Sequence, residues 1–169
     1  NDFYNMHETL TRRLSQKHLK EWGKPDLLLI DGGKGQLDAA IRARNEQAIA
    51  QENPAIAAIP TVGLAKREEQ IVIKKSIIDY RLSNAGAASS KSQNPKSKIE
   101  PSGSNVELDL EALHALGGFI TESEDFILVN VPHSTNLIKL LQRIRDESHR
   151  FAVTYHSVLK VKRQTASVL

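Results

Sequence analysis

Residues 26–36 read DLLLIDGGKGQ, an apolar run followed by an aspartate and a glycine-rich turn. Because the apolar run does not alternate with polar residues, it is typical of a strand buried on both faces of a parallel sheet. Glycine allows the tight turn that follows, at residues 32–35. Residues 36–51 are rich in Ala, Arg, Gln and Glu and predict a helix. Strand, turn and helix in this order favour an α/β fold.

Upstream of this stretch, apolar residues recur one or two helical turns apart, and Gly23 and Pro25 end the pattern. The spacing predicts a single amphipathic helix over residues 3–22. Its apolar side is expected to carry Met6, Leu10, Leu14 and Leu19.

Downstream, further segments predict the rest of the sheet. Residues 61–65 read TVGLA and predict a second strand. Residues 71–73 and 126–129 are predicted to pair as a hairpin across a long connection. Within that connection, residues 83–104 are dominated by Ser, Ala, Lys, Asn, Gly and Pro, and are expected to be disordered because they bury little apolar surface. Residues 108–116 predict a short helix.

The clearest helix begins near residue 134, with Ser134 or Thr135 as its N-cap. Six residues recur there every three or four positions and form one helical stripe: Leu137, Leu141, Ile144, Ser148, Phe151 and Tyr155. Beside that stripe, Gln142, Arg145 and His149 share one polar edge of the helix. Such an edge suits a metal and a phosphate diester together, although a lone helical histidine is more often an exposed or half-buried surface residue.

Composition excludes several classes of protein. The chain has 23 Lys and Arg against 20 Asp and Glu, a formal net charge of +3 that favours nucleic-acid binding only slightly. It contains no cysteine, so disulfides, thiolate zinc sites and cysteine nucleophiles are excluded, and a reducing cytosol is favoured. No apolar run approaches the ~20 residues that a membrane-spanning helix needs. We expect a soluble, cytoplasmic protein that makes no use of a membrane.

Asp31 is the first candidate for chemistry, because open α/β sheets place catalytic and ligand-binding groups at strand ends. The structural alternative is that Asp31 caps the turn or helix that follows it. The glycines beside it allow close approach of a phosphate, and Lys34 adds a positive charge. A nucleotide-binding P-loop is rejected, because the Gly-x-x-x-x-Gly-Lys-Ser/Thr spacing is absent.

Four strings, in order along the chain, resemble the UvrC family of bacterial excinucleases, the nucleases of nucleotide excision repair. Residues 28–36 read LLIDGGKGQ and residues 141–152 read LQRIRDESHRFA. Residues 2–13 contain DFYNM and LTRR, and residues 62–66 read VGLAK. The resemblance covers most of residues 1–75 and 126–169, and the segment 76–125 departs from the family pattern.

The resemblance implies a ribonuclease H-like α/β fold, with a mixed sheet and flanking helices. In that interpretation, residues 1–75 and 126–169 form the endonuclease domain, incomplete at its N-terminus, and residues 76–125 are a low-complexity, partly disordered insertion. The family's domain makes the 5′ incision in damaged double-stranded DNA after a damage-recognition subunit, UvrB-like, loads it. It uses a divalent metal, Mg²⁺ or Mn²⁺, at an Asp-Asp-His cluster.

Carried over residue by residue, Asp31 matches the second Asp of that cluster and His149 matches its His, so both are expected metal ligands and catalytic residues. Asp2 matches a further acidic position of the family, and it is equally an N-cap candidate for the first helix. Positive charges near the expected site make phosphate-contacting candidates of Lys34, Lys66, Arg145 and Arg150.

The first Asp of the cluster belongs to an earlier, Phe-Asp-Ile-Ser-like strand that these 169 residues do not contain. Since Mg²⁺ prefers several oxygen ligands, we expect the chain alone to be inactive. The competing hypothesis is a noncatalytic nucleic-acid or protein-interaction module on the same scaffold, in which the segment 76–125 binds a partner.

Overall fold

The computed structural model describes residues 2–79 and 106–166. The stretch expected to be disordered, residues 83–104, lies outside them. The helices in the described part are α1 (Asp2–Arg13), α2 (Gln16–Trp22), α3 (Lys34–Ala50), α4 (Pro54–Ala57), α5 (Leu110–Ala115) and α6 (Asn136–Ala166). The strands are β1 (Leu28–Asp31), β2 (Thr61–Ala65), β3 (Gln70–Lys74), β4 (Ile78–Asp79), β5 (Val106–Glu107), β6 (Phe119–Glu122) and β7 (Phe126–Asn130).

Five of these strands form one mixed sheet in the order β1-β2-β3-β7-β6. β1 and β2 are parallel, and the other neighbours are antiparallel. The predicted hairpin between residues 71–73 and 126–129 is confirmed, with Ile71 opposite Val129 and Ile73 opposite Ile127. β4 and β5 form a separate two-stranded parallel pair. With helices flanking the sheet, the architecture confirms the expected ribonuclease H-like α/β class.

The main core lies between α3 and the sheet. The alanine-rich sequence of α3 lets its backbone approach the strands closely, and Leu37, Ala40 and Ala43 are fully buried. Opposite them, Val72 of β3 is buried, and a Cβ on Gly63 of β2 would lie 3.6 Å from the Leu37 Cβ. Burying a large aliphatic side chain contributes about 1.5–3 kcal/mol, so this layer holds α3 against the sheet.

Arg44 is an unusual member of this core, because its side chain is fully buried. Its guanidinium donates to the Ile59 carbonyl at 2.6 Å and to the Thr61 hydroxyl at 3.1 Å. It also donates to the Asn45 side chain. Burial lowers the pKa of Arg44 to about 10, because the charged form loses solvation. The hydrogen bonds tie α3 to the start of β2.

The prediction of one helix over residues 3–22 is wrong, because the chain forms α1 and α2 with a break at residues 14 and 15. The Ser15 hydroxyl donates to the Arg12 carbonyl at 2.8 Å, and a side chain that satisfies a carbonyl in this way competes with helix continuation. Leu10 and Leu14 are nevertheless buried, as their spacing indicated.

Helix α6 belongs to a second compact unit, Pro132–Leu169, whereas Asn1–Val131 forms the first. Of the two predicted N-caps, Thr135 immediately precedes the helix and its hydroxyl accepts from the Ile138 amide at 3.4 Å. The helix predicted from about residue 134 is confirmed as α6; on its stripe Leu141 is buried, whereas Phe151 is 69% and Tyr155 54% exposed. The helical period places these residues on one face, but burial also requires an apolar surface opposite, which periodicity does not reveal.

Part of the segment 76–125 has regular structure, since α5 and β6 lie within it and β6 pairs with β7. The domain boundaries drawn from the sequence remain predictions. No helix within residues 2–79 and 106–166 combines the length and apolar character needed to cross a membrane.

Candidate active site

The carboxyl ends of β1 and β2 bring two predicted site residues together. Because these strands are parallel, their ends lie at the same edge of the sheet, with Asp31 in register with Leu64. Lys66 follows β2, and its Nζ atom lies 3.3 Å from a carboxylate oxygen of Asp31. The side chains of Asp31 and Lys66 are 39% and 66% exposed, so solvent reaches both. This edge is where open α/β sheets place ligand-binding and catalytic groups.

The turn after Asp31 bears on the structural alternative considered for this residue. Gly33 is the N-cap of α3, and no side chain caps the first turn of that helix. Asp31 is therefore not the N-cap of α3, and its catalytic role stays a prediction. Lys34, the first residue of α3, is exposed beside the uncapped amides. Those amides and the helix dipole make the local potential positive.

Close glycine packing brings the turn against β2. A Cβ atom on Gly63 would lie 2.8 Å from the Gly32 carbonyl oxygen, so a larger residue there would push the turn away from the strand. The sequence reasoning did not single out Gly63. A glycine inside a strand pattern is the signal that could have found it, because it often marks a close backbone approach.

Asp2 is the first residue of α1, so it lies inside the helix rather than at its N-cap, and it is exposed. A carboxylate in the first turn interacts favourably with the helix dipole. The next residue, Phe3, packs its ring on Gly35, where an added Cβ would meet it at 2.5 Å. This contact anchors the start of α1 on the first turn of α3, and the functional role of Asp2 remains a prediction.

The other predicted site residues lie on α6. His149 is exposed on this helix. Arg145 is half-buried, and its Nε lies 3.5 Å from a carboxylate oxygen of Asp146. Arg150 donates through Nε to Glu147 at 2.9 Å, and this hydrogen bond raises the pKa of Arg150 and lowers that of Glu147. The Glu147 carboxylate thus offsets the charge that Arg150 was expected to offer to a phosphate.

A charged cluster that joins α3 to β3 was missed by the sequence reasoning. Asp38 on α3 accepts hydrogen bonds from Lys74 on β3 and from Arg42, the latter at 2.9 Å. The hydrogen bond from Lys74 lowers the pKa of Asp38. The hydrogen bond from Arg42 also lowers this pKa, whereas partial burial acts in the opposite direction. The spacing of Asp38 and Arg42 by four residues could have revealed half of this cluster.

The residues of the first unit fit a divalent cation in part. Asp31 offers an accessible carboxylate, the kind of ligand that Mg²⁺ and Mn²⁺ prefer. Among residues 2–79 and 106–166, no group of three or more His, Asp or Glu side chains is arranged to hold a metal ion. Further oxygen ligands would therefore have to join Asp31.

A mixed sheet with flanking helices and a carboxylate at a strand end is typical of the ribonuclease H-like class. The profile of the UvrC RNAse H endonuclease domain matches residues 1–153. The chain belongs to this UvrC endonuclease-domain family.

The chain is similar to proteins named UvrABC system protein C. It is 31% identical over 162 residues to that of Prosthecochloris aestuarii, covering 96% of this chain and 17% of the relative. It is 32% identical over 175 residues to that of Anaeromyxobacter dehalogenans, covering 99% of this chain and 23% of the relative. It is 30% identical over 167 residues to that of Deinococcus radiodurans, covering 99% of this chain and 20% of the relative. The chain thus spans less than a quarter of the length of these relatives.

Proposed function

We propose that this domain makes the 5′ incision of nucleotide excision repair, by metal-dependent hydrolysis of a phosphodiester beside a lesion in double-stranded DNA. The observation that carries the proposal is the Asp31 carboxylate at a parallel strand end, open to solvent and facing Lys66. Family membership supports the reaction class. The parent protein would work in the cytoplasm, loaded onto DNA by a UvrB-like damage-recognition subunit.

Asp31 and His149 would hold Mg²⁺ or Mn²⁺, which when bound polarises the scissile phosphate and lowers the pKa of the attacking water. Lys66 neutralises Asp31 in the free protein. Because exposed ion pairs are weak, Lys66 is free to turn from the carboxylate to an incoming phosphate. His149 acts either as a ligand or as the group that carries the proton, and Asp2 adds negative charge at the start of α1.

The remaining predicted DNA contacts differ in their availability. Lys34 is exposed at the uncapped start of α3, which suits a phosphate oxygen. Arg145 and Arg150 would reach the DNA backbone from α6, with Arg150 first exchanging Glu147 for phosphate. We therefore rank Lys34 and Lys66 above the two arginines as DNA contacts.

The missing first Asp would come from an additional strand. β1 forms one edge of the described sheet, and β2 is its hydrogen-bonded neighbour. The sequence of β1 is nevertheless apolar without alternation, which is typical of a strand with neighbours on both sides. A strand added at this edge would place its own carboxylate near Asp31. We therefore expect the 169-residue chain alone to show no Mn²⁺-dependent nicking.

The test measures incision of lesion-containing duplex DNA by the full-length protein with its loading partner, over a range of Mn²⁺ concentrations. Asp31→Ala and His149→Ala are each expected to slow incision by at least about 100-fold, because ligand loss exceeds the roughly 10–100-fold typical of outer-shell changes. Matched controls are Asp26→Ala, an exposed aspartate before β1, and His156→Ala, an exposed histidine two turns along α6.

A double variant tests whether the two residues serve the same cation. If they do, Asp31→Ala/His149→Ala loses little more than the worse single variant, because residues that act as a unit are non-additive. For a ligand, His149→Ala raises the Mn²⁺ concentration at half-maximal rate. If His149 is instead a proton carrier, His149→Ala lowers the maximal rate and leaves the Mn²⁺ concentration at half-maximal rate unchanged. Incision unchanged by both single variants would favour the noncatalytic interaction module.

A further inference from the structure

We propose that the groove between α1 and α3 holds one nucleotide of the incised strand, with its base unpaired from the duplex and stacked on Tyr4. This inference rests on the proposed function, which supplies the DNA strand near Asp31. The groove is lined by Phe3, Tyr4 and His7 of α1 and by Gly35, Asp38 and Arg42 of α3.

The size and walls of this groove suit a nucleotide. Its volume is about 460 Å³, within the range of roughly 300–1,000 Å³ found for small-ligand sites. One wall carries two aromatic rings, and Tyr4 is 67% exposed. A large, solvent-exposed aromatic side chain is the platform that single-stranded nucleic-acid sites use to stack a base of any sequence.

The position of Tyr4 is set by its neighbour. Phe3 packs on Gly35, so the first turn of α1 is held against the first turn of α3. Tyr4 is thereby presented from a backbone that is already anchored, which reduces the ordering entropy lost on binding. Replacing Gly35 by a larger residue would displace this anchor.

The charges in the groove are compatible with a phosphate. Asp38 is the acidic residue of the lining, and two cations, Lys74 and Arg42, hydrogen-bond to it. Lys74 lies outside the lining, where Asp38 and Arg42 carry opposite charges. Arg42 is 66% exposed, so the guanidinium keeps donors that face solvent. His7 is hydrogen-bonded to Glu46 at 2.7 Å and contributes a wall.

The groove lies within reach of the incision point. Gly35 follows Asp31 by four residues, and four residues span at most about 14 Å of extended chain. At a rise of about 3.4 Å per nucleotide, this corresponds to about four nucleotides. The Gly35 wall of the groove is therefore within about four nucleotide lengths of Asp31.

The experiment uses the full-length protein in EDTA, so that no strand is cut. DNA strands carry 2-aminopurine, a fluorescent adenine analogue that reports stacking, at each of four positions on either side of the incision site. Wild-type protein is expected to change the emission at one or two adjacent positions. Tyr4→Ala should abolish that change and weaken DNA binding by about 5- to 150-fold.

Three variants sharpen this result. Tyr4→Phe keeps the ring and should preserve the signal. Tyr4→Leu keeps apolar bulk without the ring and should lose it, which keeps the test decisive even where the alanine variant folds poorly. Phe119→Ala, which removes a comparably exposed aromatic side chain from β6, should bind as the wild type does.

Equal signals at all positions, or an unaltered signal in Tyr4→Leu, would overturn the proposal. So would a Tyr4→Ala variant that keeps its signal but no longer binds the damage-recognition subunit, because the groove would then be a protein site. Asp31→Ala should retain the fluorescence change. Failure of incision by the wild type with Mn²⁺ would count against the proposed function alone, since stacking is measured without cleavage.

Discussion

A cationic side chain lies at each end of β2, and the two side chains differ in their exposure to solvent. At its start, Thr61 accepts a hydrogen bond from Arg44, whose side chain is 1% exposed. Just beyond its carboxyl end, Lys66 pairs with Asp31 and is 66% exposed. Arg44 bonds to a backbone carbonyl, a hydroxyl and an amide oxygen, whereas Lys66 faces a carboxylate.

This difference separates structural charge from charge that can act on a ligand. Moving Arg44 would leave a buried donor or acceptor without a partner, so its position is held by the cost of disrupting the fold. Lys66 loses little by leaving Asp31, because water replaces the contact. The buried cation therefore fixes the start of β2, and the exposed one is available at the edge where chemistry is proposed.

The largest expected effect is on stability, from Arg44→Ala. The substitution leaves a cavity and an incompletely satisfied Thr61 hydroxyl, and should lower the free energy of unfolding by about 2–5 kcal/mol in urea denaturation. Arg44→Met keeps the apolar stem and should lose less. Arg42→Ala, an exposed arginine two residues earlier, is the matched control and should cost below about 1 kcal/mol. Equal losses for the two alanine variants would contradict the contrast.

A smaller effect is expected from Lys66→Ala, on DNA binding rather than stability. Losing one exposed phosphate contact should raise the Kd of the full-length protein for DNA by about fivefold, equivalent to about 1 kcal/mol. The slope of log K against log salt concentration should fall by about 0.9. Should Kd stay constant while Mn²⁺ binds more tightly, Lys66 would be only a counter-ion for Asp31.

The smallest effect concerns Asp38, which lies between the two extremes with a partly exposed side chain. Hydrogen bonds from Lys74 and Arg42 lower its pKa, so its contribution to stability is present above the ordinary aspartate pKa. That contribution is lost as pH falls through the lower, folded-state value. Asp38→Asn should reduce stability at pH 7 by about 1 kcal/mol or less and flatten the stability curve below about pH 4. If the stability of the Asp38→Asn variant fell with acid pH as steeply as that of the wild type, this assignment would be contradicted.

Local sequence patterns predicted the elements where the pattern and the packing agree. The apolar run before Asp31 forms β1, residues 61–65 form β2, and the polar stretch after the turn forms α3. The pattern failed at Ser15, where a side-chain hydrogen bond interrupts the first helix. On α6 the pattern predicted the helix but not the exposure of each residue, since Leu141 is buried and Phe151 is exposed.

The candidate site divides in the same way. Asp31 and Lys66 were identified from strand ends and motif resemblance, and their contact at 3.3 Å follows from the parallel pairing of two predicted strands. Lys74 and Asp38 come from segments with no local signal linking them, since one lies on a strand and the other on a helix. A pair of this kind depends on the angle at which α3 crosses the sheet.

By itself, the sequence determined β1, α3 and β2, the carboxylate at the end of β1 and the family of the domain, because these depend on local spacing and on short ordered strings. The tertiary structure alone decided that Arg44 is buried, that Asp31 meets Lys66 instead of capping α3, and that Phe3 rests on Gly35. Such contacts join residues far apart in the chain, and their free energies depend on burial and distance, which no local pattern records.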